Sequence, residues 1–218
     1  MKNINEIAGF LENLIQQNPA KIVGIGECGF DFYHDNVEQF FSIQKEVFKL
    51  QIDLAEKHNL PVVIHTRDAN KELIDFFAEF VADRNIRGVI HCFSGDLEMA
   101  KLFTEEYGFY LGIGGIITYN KSEELRSVVS EIPAKFLLTE TDAPFLPPHN
   151  WRKKNSLNEP ASLQEIVAKI ADVKDLEIEE QLQVIDDYLQ EKLDEAIRED
   201  NWSQTPNSWS MVKGGYYE

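Results

Sequence analysis

The sequence has 218 residues, enough for one domain or a domain with a tail, and its 43% hydrophobic content is ordinary for a protein with a buried core. Its formal net charge of -17 repels a nucleic-acid backbone, so any nucleic-acid function needs a local site, such as a metal centre, to overcome that field. No apolar run approaches the length of a membrane span, and the first residues are typical of an amphipathic helix rather than a signal peptide. The two cysteines, Cys28 and Cys92, form no CxxC pair, which favours a reduced, cytoplasmic setting.

Short apolar runs alternate with amphipathic segments along the chain. Apolar residues at helical spacing from Ile4 to Ile15 predict a first helix, and Asn3 followed by Glu6 resembles a capping box. The run "KIVGIG" predicts a buried strand, and a second helix is expected from Val37 to His58. Further strands are predicted at "LPVVIH", "RGVIH", "FYLGIGG" and "AKFLLTET", with helices around residues 73–81, 97–106 and 122–132. Five buried strands alternating with helices predict a parallel sheet with right-handed crossovers.

The chain after the last predicted strand has a different character. A long loop follows at 142–160, and two more helices are predicted at 161–173 and 178–197. The acidic stretch 174–200 is typical of a solvated helix face or a loosely ordered tail, and the last residues show no period. We therefore expect one domain at residues 1–175, followed by an acidic helix and irregular tail at 176–218.

Four of the five predicted strands end in a residue that can bind a metal ion. These residues are Glu27, His65, His91 and Asp142. In parallel α/β folds, functional groups gather at the carboxyl ends of the strands and face one mouth. Two imidazoles and two carboxylates suit Zn, Mn or Fe, and such a site acidifies a bound water molecule for hydrolysis. A free carboxylate near that water can act as a general base.

A structural interpretation of the same residues stays open. A histidine at a strand end is often an ordinary hydrogen-bonded residue, and Glu27 could form an ion pair with Arg67 or Arg87. That interpretation has to hold at all four strand ends together, which favours the metal site.

Six segments of the chain carry a resemblance to a known family. The segments "GECGFDFYHD", "VVIHTRDA", "VIHCFSGD", "GIGGIITYNKSEELRSVV" and "LLTETDAPFLPP", followed by "NEPASL", resemble in this order the signatures of the TatD family of metal-dependent deoxyribonucleases. Proteins of this family are amidohydrolase-like TIM barrels. The resemblance covers about residues 4–173 and implies a barrel with a metal site at its C-terminal face.

The resemblance also implies roles for particular residues. Glu27 would bridge two divalent ions, His65 and His91 would hold the second ion, and Asp142 would ligate the first. Asp142 would also activate the attacking water, so Asp142 and Glu27 are the expected catalytic residues. The expected cofactors are one or two divalent ions per chain, which would be Mg²⁺, Mn²⁺ or Zn²⁺. DNA, as single strands or 3′ ends, is the expected partner, and no membrane is involved.

Three further residues lie in the motifs that surround the site. Arg67, Ser94 and Gly95 are expected to help hold substrate phosphate, although Arg67 could equally be the structural partner of a carboxylate. Cys92 is expected to be packing rather than a nucleophile, because the sequence places no activating base beside it.

The sequence departs from the family pattern at one point. The family begins with a strand ending in His-x-His, which supplies two ligands to the first ion, and no two of the five histidines here are two residues apart. We therefore expect an N-terminally truncated, partial (β/α)₈ TIM-type barrel of about five parallel strands with outer helices. Its first ion would be held weakly, by Glu27 and Asp142 alone. The chain would then be a fragment, a split-gene product, a half to which a second chain supplies strands, or a degenerate relative.

Three functions are consistent with these observations. The first is a 3′ to 5′ exonuclease that cleaves DNA phosphodiester bonds with a metal-activated water. The second keeps the same chemistry but cleaves an ester, as in deacylation of aminoacyl-tRNA. The third is an inactive truncated homologue that acts as an interaction protein.

Overall fold

The strands of the described chain form one parallel sheet. A computed structural model describes residues 4–19, 21–33, 37–152 and 157–176. Its sheet contains five parallel strands in sequential order: β1 Ile25–Asp31, β2 Val62–Arg67, β3 Gly88–Ile90, β4 Tyr110–Ile113 and β5 Leu137–Thr139. Each strand pairs with the next one along the chain, which is the order found in a TIM-type barrel. The predicted partial barrel of five parallel strands is confirmed.

Helices precede, connect and follow these strands. They are α1 Ile4–Gln17, α2 Val37–His58, α3 Asn70–Phe76, α4 Leu97–Lys101, α5 Glu123–Glu131, α6 His149–Arg152 and α7 Leu163–Lys174. Helices α3 and α4 continue as π-helical turns, Phe77–Val81 and Leu102–Glu106, so the two segments end where the apolar pattern predicts. Short 3₁₀ turns occupy Gly115–Thr118, Ala134–Phe136 and Pro160–Ser162.

Most predicted helices are confirmed within a few residues, and the differences have simple causes. The predicted helix at 161–173 begins as the 3₁₀ turn Pro160–Ser162, and α7 follows it, as is common at helix N-termini. The short helix α6 was missed inside the long loop, since four residues carry no measurable period. The predicted cap at Asn3, the helix at 178–197 and the irregular tail lie outside the described residues.

One face of the sheet packs against the helices and forms the core. Phe30 of β1 is fully buried and meets Phe48 of α2 and Phe76 of α3, with ring centroids 5.4 and 5.6 Å away. Phe48 and Phe76 stack on each other at 4.3 Å and 14°. Burying one such ring contributes about 1.5–3 kcal/mol, so this aromatic cluster fixes the helices over the first two strands.

The opposite face of the sheet carries the polar residues of the motifs. Successive side chains of a strand point to opposite faces, so buried Ile64 alternates with Val63 and His65, which are 37% and 29% exposed. Glu27 of β1 shares this more open face with His65, to which its side chain is bonded. The sheet therefore presents a buried face to the helices and a more open face to the candidate site.

The first strand differs from its prediction in both bounds. The run "KIVGIG" predicts a strand that ends at Glu27, but β1 begins at Ile25 and continues to Asp31. A bulge between Ile25 and Cys28 lets β1 continue alongside β2 past the carboxylate. Gly26 lies in this bulge at φ +152°, and a Cβ there would lie 2.7 Å from the carbonyl oxygen of Val63. Only glycine fits this close approach, and the bulge is what presents Glu27 on the open face.

The described helices differ from those that cross a bilayer, which need about 20 predominantly apolar residues. In the part of the chain that the structure describes, none is both long enough and apolar enough to span a membrane.

Candidate metal centre

The four predicted ligands lie near one edge of the sheet, at different depths along their strands. Glu27 is the third residue of β1 and His65 the fourth residue of β2, so the prediction that they end their strands is wrong. The strands run on because "GFD" pairs with "HTR" in parallel register. His91 directly follows β3, and Asp142 lies three residues beyond β5 at φ +54°, a left-handed conformation that aspartate tolerates.

Glu27 and His65 form the first pair of the site. Glu27 Oε1 lies 2.6 Å from His65 Nδ1. The other ring nitrogen, Nε2, is buried without a hydrogen-bond partner, although Asp31 Oδ2 lies 3.5 Å away. A buried ring nitrogen that lacks a partner is unusual, because leaving it unpaired costs about 1–3 kcal/mol. An ion that took Nε2 as its ligand would satisfy this nitrogen.

Asp31 and Arg67 form an ion pair beside this histidine. Arg67 donates from Nε to Asp31 Oδ1 at 2.9 Å and from Nη2 to Oδ2 at 2.5 Å. The hydrogen bonds from Arg67 are the main cause that lowers the pKa of Asp31. Arg67 is thus the partner of a carboxylate, as the structural alternative proposed, but that carboxylate is Asp31 rather than Glu27. Arg87 bonds instead to the side chain and carbonyl of Asn59.

His91 and Asp142 form the second pair. His91 Nε2 lies 3.3 Å from Asp142 Oδ1, while Nδ1 is in close contact with Glu140 Oε2. The Cys92 thiol and then the Glu140 carboxylate raise the pKa of His91 to about 11. Without an ion the imidazole therefore keeps its proton, and an ion bound at Nε2 has to displace that proton.

Glu140 is a site residue that the sequence reasoning missed. Its second oxygen, Oε1, accepts the backbone N–H of Cys92. A signal existed in "TETD", because Glu140 lies two residues before Asp142 and directly after β5, where a second acid could face the same edge. The motif was assigned only to Asp142.

The structure brings the predicted ligands together as two pairs rather than as one closed set. Among the described residues, His91, Cys92 and Glu140 each have a potential ligand atom, and these three atoms lie within 4.8 Å of one another. The two pairs are nevertheless neighbours, since His91 N–H donates to the carbonyl of Ile64, the residue before His65, at 2.8 Å. Adjacent strands lie about 4.8 Å apart, so the two pairs belong to the same edge of the sheet.

The donor set fits a divalent cation. Glu27, His65, His91 and Asp142 supply two imidazole nitrogens and two carboxylates, which suit Zn²⁺ or Mn²⁺. The unpaired nitrogen of His65 is the observation that an ordinary hydrogen-bonded structural histidine does not explain. Cys92 is half-buried; burial is the main cause that raises the pKa of its thiol, while its hydrogen bond with His91 lowers that pKa, and its role as packing stays a prediction.

A buried asparagine holds the loop that carries Asp142. Asn158 is 3% exposed and donates to the carbonyls of Thr141 and Phe145, at 2.5 and 2.7 Å, on either side of Asp142. Its own side-chain oxygen accepts from the Ser162 hydroxyl at 2.6 Å. The "NEPASL" segment therefore clamps the Asp142 loop, a role that the sequence analysis did not assign.

Ser94 and Gly95 lie in the loop between His91 and α4. Ser94 is exposed, and Gly95 is buried where a Cβ would lie 2.5 Å from the sulfur of Met99. Asp96 caps α4 by accepting the N–H of Met99 at 2.8 Å. Packing accounts for Gly95, and the contact of both residues with phosphate stays a prediction.

Fold and site together define a class of protein. Parallel strands in sequential order, helices packed on one face, and imidazoles with carboxylates at one edge are the features of a TIM-type barrel with a metal centre.

Comparison with known proteins identifies the family. The family model described as TatD related DNase matches residues 2–192, and the chain belongs to this family. The chain is 41% identical over 160 residues to the uncharacterized metal-dependent hydrolase YabD of Bacillus subtilis, covering 73% of this chain and 60% of YabD. It is 34% identical over 173 residues to the uncharacterized metal-dependent hydrolase MJ1582 of Methanocaldococcus jannaschii, covering 79% of this chain and 63% of that protein.

Solved structures agree with the fold. The crystal structure of YjjV, a TatD homologue from Escherichia coli K12, superposes with a TM-score of 0.71 at 28% identity, over 83% of this chain and 67% of that one. An uncharacterized amidohydrolase from Saccharomyces cerevisiae superposes with a TM-score of 0.67 at 17% identity, over 84% and 69% of the two chains, and supports the fold alone. The chain spans about three fifths of the length of the curated relatives described above.

Proposed function

We propose that the chain is a divalent-metal-dependent hydrolase that cleaves DNA phosphodiester bonds from 3′ ends. The observation that carries this proposal is the pairing of each predicted imidazole with a predicted carboxylate, His65 with Glu27 and His91 with Asp142. Membership of a family described as TatD related DNase supports the choice of substrate. Single-stranded DNA or frayed ends are the proposed substrates, because a net charge of -17 opposes tight binding along a duplex.

The residues divide the chemistry between them. A divalent ion held by Glu27, His65, His91 and Asp142 would supply Lewis acidity, which neutralises phosphate charge and lowers the pKa of a water molecule. Asp142, three residues beyond β5, accepts the proton of the attacking water as general base. Glu27 is the more exposed member of its pair, at 47%, so its carboxylate is available to more than one cation.

Three further assignments belong to this proposal. Ser94 and Gly95 contact substrate phosphate, and Arg67 does so from its exposed side while remaining paired with Asp31. A second chain supplies further strands, which would pair with the edges of the described sheet at β1 and β5. The protein works in the cytoplasm, as the two free thiols suggest.

Nucleotide release from single-stranded DNA tests the proposal. The purified chain is assayed with Mg²⁺ or Mn²⁺, beside its Glu27→Ala and His91→Ala variants and a Glu131→Ala control, which removes an equal charge at the exposed end of α5. We expect metal-dependent release that both site variants abolish and the control retains.

Two results would redirect the proposal. Deacylation of a charged tRNA that exceeds nucleotide release would favour the ester-cleaving alternative. A chain that releases no nucleotide and retains no metal after gentle purification would favour the non-enzymatic interaction protein.

A further inference from the structure

We infer that Glu140 is a positioning residue that presents Nε2 of His91 to the ion. This inference rests on the proposed metal site and extends it to a residue outside the predicted ligand set. Both oxygens of Glu140 are engaged, Oε2 with His91 Nδ1 and Oε1 with the backbone N–H of Cys92. One carboxylate thus holds both the imidazole ring and the peptide that carries the ring.

The first contact determines which ring nitrogen can bind metal. A carboxylate against Nδ1 keeps a proton on that nitrogen, so Nε2 is the nitrogen that can become a ligand. Nε2 is also the nitrogen that faces Asp142, at 3.3 Å. Glu140 therefore sets the face of the ring that the ion meets.

The second contact holds an unfavourable turn. Cys92 has φ +47°, in the left-handed region that a residue with a side chain rarely adopts. Two hydrogen bonds hold the turn. Glu140 accepts the N–H of Cys92, and the N–H of Phe93 donates to the carbonyl of Gly112 at 2.9 Å. This turn directly follows His91, so the hydrogen bonds that hold it also fix the backbone beside the imidazole.

The neighbouring strand leaves room for this carboxylate. A Cβ at Gly112 of β4 would lie 2.3 Å from Oε1 and 2.8 Å from Cδ of Glu140. Glycine at this position is required by the contact, and the side chain of Glu140 fills the space against β4.

A competing role for Glu140 is direct metal ligation together with Cys92. The donor atoms of His91, Cys92 and Glu140 lie within 4.8 Å of one another, a set that could hold a thiophilic ion. An ion in that set would have to enter between Glu140 and His91 Nδ1, which are already in contact. The existing hydrogen bonds favour positioning over ligation.

Metal affinity and proton NMR test the inference. Mn²⁺ binding is measured by titration calorimetry for the wild type, Glu140→Ala, Glu140→Gln, Cys92→Ser and the charge-matched control Glu131→Ala. We expect Glu140→Ala to bind about 10–100-fold more weakly, as for other groups that orient metal-binding histidines. The Mn²⁺ affinity of Glu140→Gln should lie between those of the wild type and Glu140→Ala. Its single amide oxygen can accept a hydrogen bond from the ring, but its NH₂ group cannot accept the Cys92 N–H. Glu131→Ala should remain within about twofold of wild type. Cys92→Ser keeps a hydroxyl that can hydrogen-bond to His91 in place of the thiol, so it should lose less affinity than Glu140→Ala.

The NMR readout does not depend on bound metal. In the metal-free wild type labelled with ¹⁵N-histidine, the His91 Nδ1 proton should give a downfield resonance protected from exchange. Glu140→Ala should lose this resonance, whereas Cys92→Ser should keep it.

The outcomes separate this inference from the proposed function. A wild type that binds no Mn²⁺ would reject the proposed metal site, and the Nδ1 resonance would still decide the contact between Glu140 and His91. Equal Mn²⁺ affinity in wild type and Glu140→Ala, or the same Nδ1 resonance in both, would overturn the positioning role. A loss of affinity in Cys92→Ser as large as in Glu140→Ala would overturn it in favour of direct ligation.

Discussion

Replacement of Gly112 by alanine is the substitution that most directly connects packing with the site. The new Cβ would lie 2.3 Å from Glu140 Oε1, whereas ordinary contact begins near 3.4 Å, so the carboxylate has to retreat by about 1 Å. Hydrogen bonds weaken steeply over such a distance, and both contacts, with His91 Nδ1 and Cys92 N–H, would be lost or stretched.

The expected loss in the free energy of unfolding combines the overpacking at Gly112 with the weakened hydrogen bonds of Glu140. Overpacking typically costs about 1–3 kcal/mol, and a hydrogen bond to a charged group contributes about 1.5–3 kcal/mol. Glu140 is 22% exposed, so water can replace part of what is lost. We expect Gly112→Ala to lower the free energy of unfolding by about 2 kcal/mol, which lowers Tm by about 4–8 °C in a chain of this size. Mn²⁺ affinity should fall by about tenfold or more, because His91 loses its orientation.

The assay combines thermal unfolding followed by circular dichroism with calorimetric titration of Mn²⁺. Gly9→Ala is the matched control, because its Cβ would meet nothing within 4 Å and the residue lies inside α1. That change should stabilise the protein by about 1 kcal/mol, since alanine favours a helix over glycine, and should leave Mn²⁺ affinity unchanged. If Gly112→Ala unfolds at the wild-type temperature and binds Mn²⁺ as wild type does, the close packing of β4 against Glu140 does not support the site.

Three further predictions concern other parts of the structure. Asp31→Asn should lower the free energy of urea unfolding by about 1 kcal/mol at pH 7, because the ion pair with Arg67 is partly exposed to water. The pKa of Asp31 is lowered by Arg67, so its stabilisation is present above about pH 4 and is lost as the pH falls through the lowered pKa; the difference between the two proteins should therefore shrink in acid. Phe48→Ala should lower the free energy of urea unfolding by about 3–5 kcal/mol, whereas Phe10→Ala, at a residue 63% exposed, should change it by less than about 0.5 kcal/mol. Asn158→Ala should weaken Mn²⁺ binding measured by calorimetry by about tenfold, because the loop around Asp142 loses two hydrogen bonds; unchanged affinity would show that the loop keeps its shape without them.

Local pattern was sufficient for most of the architecture. Helix α2 has its predicted bounds, because a long apolar period depends on neighbouring residues alone. The order of strands and helices predicted a parallel sheet for the same reason, since parallel strands need crossover connections. Strand bounds were less predictable. The bulge at Gly26 lets β1 continue to Asp31, and the end of β1 is set by its pairing with β2, which no local pattern contains.

The sequence by itself determined the chemical types at the candidate site, namely Glu27, His65, His91 and Asp142, since chemistry-bearing residues beside buried strands stand out against an apolar background. Only the tertiary structure decided which of them meet, because contacts between residues far apart in sequence depend on strand register. It also assigned Arg67 to Asp31, and Glu140 to both His91 and the turn at Cys92. The sequence around a carboxylate does not identify its hydrogen-bond partner. The partner is set by the backbone and side chains that lie beside the carboxylate once the sheet has formed.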